Sequence, residues 1–233
     1  MITVRPAAER GTTRFDWLDS CHSFSFGEYR DPAHVRFGPL RVINDDRIAP
    51  GAGFRPHSHA DMEIVTYMLT GALAHEDSLG NRFTIGADEV QRMSAGTGIT
   101  HSEFNASETE PARLLQIWIH PDRAGLEPSY EQKAFTRADK TGRFRLIAAG
   151  RPRDGAMTIH QDAAILASVL EPGGRVDYAP GPGRRIWAQV AEGTVAVNGA
   201  ALSEGDGAAI EDAAGPLMFT SEAGAEFLIF DLP

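Results

Sequence analysis

The chain carries one cysteine, Cys21, in 233 residues. That excludes an internal disulfide and any Cys-x-x-Cys metal or redox site. Positive charge is also scarce. The 22 Lys and Arg face 32 Asp and Glu, for a net charge of −10, so neither nucleic acid nor an anionic membrane is expected as a direct partner, because both call for basic patches. No apolar run approaches the roughly 18 residues of a spanning helix. The N-terminal MITVRPAAERG lacks the apolar centre of a secretory signal, so a cytoplasmic location is the expectation. HExxH, GxSxG and a glycine-rich phosphate loop are all missing, which removes the common zinc-protease, hydrolase and nucleotide-binding readings. Helical periodicity is nearly absent too.

What the chain does have is short runs of β-branched and aromatic residues between turn signals. His22, Phe24 and Phe26 alternate with Cys21, Ser23 and Ser25, and Leu40-Arg-Val-Ile43 and Glu63-Ile-Val-Thr-Tyr-Met-Leu69 follow; each pattern predicts a strand. Residues 72–76 and 82–85 flank Asp77-Ser-Leu-Gly80-Asn81, a hairpin loop by its turn chemistry. Gly86-Ala-Asp88 and Ser94-Ala-Gly96-Thr-Gly98 turn the chain before a strand carrying His101, and LLQIWI at 114–119 closes the first half. Such a rhythm points to an all-β antiparallel barrel or sandwich. Residues 121–155 read as a connection in which PSYEQKAF supplies at most one helical turn. The expected domains are therefore 1–125 and 126–233.

The second half weakly repeats the first: Gly193 to Gly199 and then Gly205-Asp-Gly echo the Gly71 hairpin and Gly86-Ala-Asp88. The repeat acts as an internal control on the residues of greatest interest. In the first half His57-Ser-His59 and His101-Ser-Glu103 are two i, i+2 pairs. In extended backbone, i and i+2 share a face. Two such pairs on neighbouring strands would gather three imidazoles and a carboxylate, a donor set that suits a divalent transition metal: Fe, Mn, Co, Ni, Cu or Zn. The corresponding second-half positions read Arg175-Val-Asp177 and Thr220, so any metal belongs to the first half. His101-Ser-Glu103 also matches the His-x-Glu of zinc deaminases, but those sites need a PCxxC partner that one cysteine cannot provide.

Other candidates have blander readings. Glu63 is expected to orient one of the site imidazoles rather than to ligate. His75 reads as a hairpin residue, and His120 and His160 as solvent-facing. His22, Trp17, Phe24, Phe26 and Tyr67 are expected in the core, with some of them free to wall an aromatic pocket, and Cys21 is expected to pack as a small hydrophobe.

WLDSCHSFSFGEY, LRVINDD, PHSHADMEIVTYMLTG, HEDSLGN, MSAGTGITHSE, QIWI and the terminal FDLP together span the chain. In this combination the sequence resembles the pirin family of bicupins, and within it the short bacterial pirin-like quercetinases. The resemblance implies two antiparallel β-barrel or jelly-roll domains with metal in the N-terminal one. It also implies a ligand set of His57, His59, His101 and Glu103. The implied activity is quercetin 2,3-dioxygenase, which opens a flavonol-like aromatic substrate with O2 and releases carbon monoxide, with iron as the first choice of metal and Glu103 as the general base. A monomer is expected. Pirins are also described as transcriptional cofactors, so a non-enzymatic metal-binding or redox-sensing regulator acting through a protein partner is the alternative. One departure stands out: Ala60-Asp61-Met62 replaces the Arg-Gly-Phe that pirins often carry after the second histidine.

Overall fold

The computed structural model describes all residues, 1–233. It is built almost wholly of antiparallel strands, with one short 3-10 turn at Ala7–Glu9 and one four-residue helix at Arg137–Lys140. Two compact units emerge. One comprises residues 11–134 and 159–161; the other comprises 1–10, 135–158 and 162–233. The division thus differs from a single cut after residue 125. Ser129–Ala134 stays with the first unit because it pairs along Glu89–Ser94. Ile2–Arg5 belongs to the second because it pairs with Gly207–Ile210.

The first unit contains two sheets. The seven-stranded sheet runs in the order Ser129–Ala134, Glu89–Ser94, Glu63–Thr70, Ala112–Ile119, Leu40–Ile48, Leu18–His22, Gly11–Phe15. The four-stranded sheet runs Gly53–His59, Ile99–Asn105, Ala72–Asp77, Arg82–Gly86. Neither closes into a continuous barrel; the arrangement is that of a jelly roll. Leu73 and Ile85 of the smaller sheet pack with Leu18, Ile48, Met68 and Leu114 of the larger one. Ile64, Met93 and Ala95 gather with Ile99 in a second cluster. Each such side chain contributes about 1.5–3 kcal/mol when fully buried.

In the second unit, Arg185–Val197 and Ala225–Leu232 pair at the centre of a ten-stranded sheet. Its interior is occupied by phenylalanines. Phe219 and Phe227 stack at 5.1 Å, and Phe144 sits edge-on to both at 5.5 and 5.8 Å.

Two local expectations fail. The alternation at 21–26 outlasts its strand, which ends at His22; Ser23 still donates to the Ile43 carbonyl, but Ser25 bonds the loop carbonyls of Asp31 and His34. PSYEQKAF forms an edge strand, not a helical turn, because the Glu89–Ser94 edge offers it a full set of backbone partners. The short helix comes directly after it, where Thr136 and Asp139 form a capping box.

Candidate metal centre

The strand Ile99–Asn105 has a strictly alternating inward face: Ile99, His101, Glu103 and Asn105 are all buried. It is flanked by two partners, and its register with each defines the site. On one side His101 stands opposite His57 and Ile99 opposite His59, with a bulge between His101 and Glu103. On the other side His101 faces Asp77 and Glu103 faces His75. Ser58, between the two histidines, points outward and pairs with Thr100 across the exposed face at 2.7 Å. The i, i+2 spacing therefore works as expected, and the three imidazoles meet. Their ring centroids are 4.5 Å (His57–His101), 4.8 Å (His57–His59) and 5.0 Å (His59–His101) apart, and one nitrogen from each lies within 4.8 Å of the others.

The electrostatics suit a cation. Burial, and then the neighbouring His57, push His59 down to about 4. Burial followed by the surrounding imidazoles pushes His101 to about 3. Both rings are therefore neutral at pH 7, with lone pairs free to donate. His57 Nδ1 is 2.7 Å from the Arg55 carbonyl; it donates there and leaves the Nε2 lone pair available to a cation. His101 is 2% exposed, yet neither ring nitrogen has a hydrogen-bond partner. Buried polar atoms are rarely left so, and a bound metal would take up one of the two nitrogens. The donor set thus fits a transition ion.

Glu103 borders the same cavity. Its carboxylate groups most closely with His101 and His75, within 4.8 Å. Burial pushes it up to about 7, with Asp46 adding to the rise, while bonds from Gln91, Gln116 and Thr66 oppose it. Gln116 Nε2 donates to Oε2 at 2.9 Å and Gln91 Nε2 donates to Oε1. Gln91 is in turn held by the Tyr130 hydroxyl at 3.1 Å.

A cavity of about 370 Å³ opens beside these residues, within the range of pockets that enclose small organic ligands. Phe15, Phe26, Phe54 and Trp118 line it with Leu18 and Ile64, and His22, Asn44 and Asp46 supply polar edges. His22, one of the residues placed in the core from the sequence, is in this wall, with Nδ1 to Asn44 at 2.8 Å and Nε2 to Thr13 at 2.8 Å. Phe26 meets Trp118 edge-on at 5.4 Å. Tyr67 and Phe24 are core residues as expected, and Cys21 is half-buried.

Several roles change. Glu63 is buried but bonds Ser94 at 2.8 Å and His160 at 3.1 Å. It orients none of the three site histidines, because it is Ile64, one position on, that lines the cavity. His160 and His120 are half-buried rather than solvent-facing. His75 is fully buried beside His101. Ala60, Asp61 and Met62, the departure from the family pattern, lie in the turn after His59 and are not part of the cavity wall. Gln91, Gln116, Thr66 and Asp46 carry no signal in the sequence, because each is an ordinary polar strand residue until the register is known.

The repeat holds in register. Arg175 pairs with Thr220 as His57 pairs with His101. Arg175 and Asp177 form an exposed ion pair at 2.8 Å, and the second unit contains no histidine or cysteine at all.

Comparison with known proteins agrees with this architecture. The pirin family model matches residues 3–119, and a model described as the quercetinase C-terminal cupin domain matches 146–232. The chain is 45% identical over 233 residues to quercetin 2,3-dioxygenase of Escherichia coli (strain K12), covering 100% of this chain and 99% of that one. It is 43% identical over 232 residues to a pirin-like protein of Caulobacter vibrioides, with 99% of both covered. Among solved structures, the bacterial pirin YhhW of Escherichia coli in complex with nickel(II) superimposes with a TM-score of 0.95 at 45% identity, over 100% of this chain and 99% of that one.

Proposed function

The chain belongs to the pirin family, with a bicupin fold, and from that premise we propose that it is a metal-dependent dioxygenase that opens a flavonol such as quercetin with O2 and releases carbon monoxide. The observation that carries the reading is His101, buried with both ring nitrogens unpartnered, between two convergent histidines on an aromatic-walled cavity. His57, His59 and His101 would hold the ion, with Glu103 completing the set; iron is the first choice among the divalent metals such a set accepts. When bound, the ion supplies Lewis acidity that lowers the pKa of the flavonol 3-hydroxyl.

The remaining work falls to the chain's own residues. Glu103, pushed up to about 7 by burial in the metal-free site, would take the substrate's hydroxyl proton once released from the ion. The amides of Gln91 and Gln116 fix its two oxygens and the Thr66 hydroxyl adds to Oε1, so Oε2 is the oxygen that keeps a second lone-pair direction. Phe26, Phe54 and Trp118 offer flat apolar faces to an aromatic substrate and keep bulk water from the reacting groups. A purely structural ion would need no cavity of this size beside it, which sets the enzyme ahead of a partner-binding regulator.

The test is aerobic quercetin turnover by metal-free protein reloaded in turn with Fe, Mn, Co, Ni, Cu and Zn. Metal-dependent turnover with carbon monoxide release, lowered at least about 100-fold in Glu103→Ala and His101→Ala, is the expected result. Stoichiometric metal binding with no turnover under any metal would overturn the proposal.

A further inference from the structure

Beneath the three convergent histidines, a second set of buried groups is left with an unspent nitrogen. His75 stands opposite Glu103 on the neighbouring strand, and Asp77 opposite His101. Both side chains are fully buried, and His75 Nε2 lies 3.0 Å from Asp77 Oδ2. Asp77 is a committed acceptor. Its Oδ1 accepts from the Leu79 and Asn81 backbone at 3.0 and 3.1 Å, and the Asn81 side chain donates to both oxygens at 3.1 and 2.9 Å. With only donors around Asp77, His75 donates from Nε2, which leaves Nδ1 as the ring's acceptor. That Nδ1 is buried and unpartnered.

His101 shows the complementary deficit. An imidazole that ligates has one N–H and one lone pair, and neither nitrogen of His101 has a partner within the protein. The two rings are 5.3 Å apart between centroids, inclined at 52°. A nitrogen of each, with a Glu103 oxygen, falls within 4.8 Å. A ligating imidazole almost always donates its other N–H to a fixed acceptor, and in this structure the neighbouring unpartnered acceptor is His75.

We propose that Asp77 and His75 form a brace for the metal centre, in which Asp77 sets the tautomer of His75 and His75 accepts the ring N–H of His101 while the other His101 nitrogen ligates. His75 is thus a positioning residue. The inference rests on the metal-site reading above, and it explains why a histidine is buried against a carboxylate in a strand that contributes no ligand.

Nickel(II) titrations in competition with a chelator test it, alongside His101→Ala as a control for the site itself. Wild-type protein should take up one ion, and His101→Ala should lose it; failure of either result removes the metal-site reading and the brace with it. Given that, His75→Leu should bind nickel roughly 10–100-fold more weakly while the metal-free protein still unfolds in one cooperative transition. His75→Gln, which keeps a carbonyl acceptor, should recover part of the affinity. In case His75→Leu fails to fold, Asp77→Asn gives an independent reading, because it leaves the packing intact and frees the tautomer. Long-range ¹H–¹⁵N spectra of the zinc-loaded protein should show His75 protonated at Nε2 alone, and that single tautomer should be lost in Asp77→Asn. Wild-type nickel affinity within twofold in both His75→Leu and Asp77→Asn would overturn the proposal, as would uptake of two ions per chain, since His75 would then be a ligand of a second site.

Discussion

Asp46 is fully buried in the cavity wall, with the Ser20 hydroxyl donating to Oδ1. Burial pushes it up to about 7; Ser20 opposes the rise and Asp45 adds to it. A carboxyl whose folded pKa lies above its unfolded value of about 3.9 binds its proton more tightly when folded, so stability falls as pH rises from about 4 through 7 and stays lowered above that. Asp46→Asn keeps the acceptor for Ser20 and removes the ionisation. Urea unfolding of the metal-free variant should therefore show a gain on the order of 1–3 kcal/mol at pH 8 and little at pH 4; an equal effect at both would show that ionisation is not the cost. At this scale the sequence was readable only for residues that announce themselves by type and spacing. His57, His59, His101 and Glu103 do so. His75 does not, because a histidine in a hairpin looks the same whether its strand borders the site or the solvent. Gln91 and Gln116 are silent for the same reason, being 12 and 13 residues from Glu103 along the chain and joined to it only by strand order.

The strand Ile99–Asn105 and its neighbour Gly53–His59 meet closely at Gly53, where a Cβ would come 2.2 Å from the Glu103 carbonyl oxygen and 2.5 Å from Phe104 Cα. The obstruction is backbone, which cannot swing aside. Gly53→Ala should cost on the order of 1–3 kcal/mol and also weaken nickel binding, because the strain falls next to the bulge that aims Glu103. Denaturation of the metal-free protein and a nickel titration would check both effects, and an unaltered titration would place the strain elsewhere. Elements were legible wherever apolar alternation and turn residues agreed, as in Glu63–Thr70 and the Ala72–Gly86 hairpin. Ser129–Ala134 was not, because its half-buried edge position gives no contrast between faces and its pairing partner lies about forty residues back.

Across the whole molecule, the duplicated β module and the loss of ligands from its second copy could be read from glycine spacing alone, and the register of Arg175 with Thr220 supports that reading. The assignment of residues 1–10 could not, because a pairing between residues 2–5 and 207–210 has no local signal. Its consequence is testable. Removing residues 1–10 should expose the Gly207–Ile210 edge and lower the melting temperature of the second unit by roughly 5–10 °C, while nickel still binds at one ion per chain. A parallel loss of nickel binding would contradict the separation of the two units' tasks.

The N-terminal strand also imposes an order of events on the ribosome. Residues 2–5 emerge early, but the edge that receives them lies some two hundred residues later, which at about 5–20 residues per second is a wait of roughly 10–40 s. Residues 57–103, with the proposed metal ligands, finish emerging well before then, so that segment is free to fold while the leading strand is still unpaired.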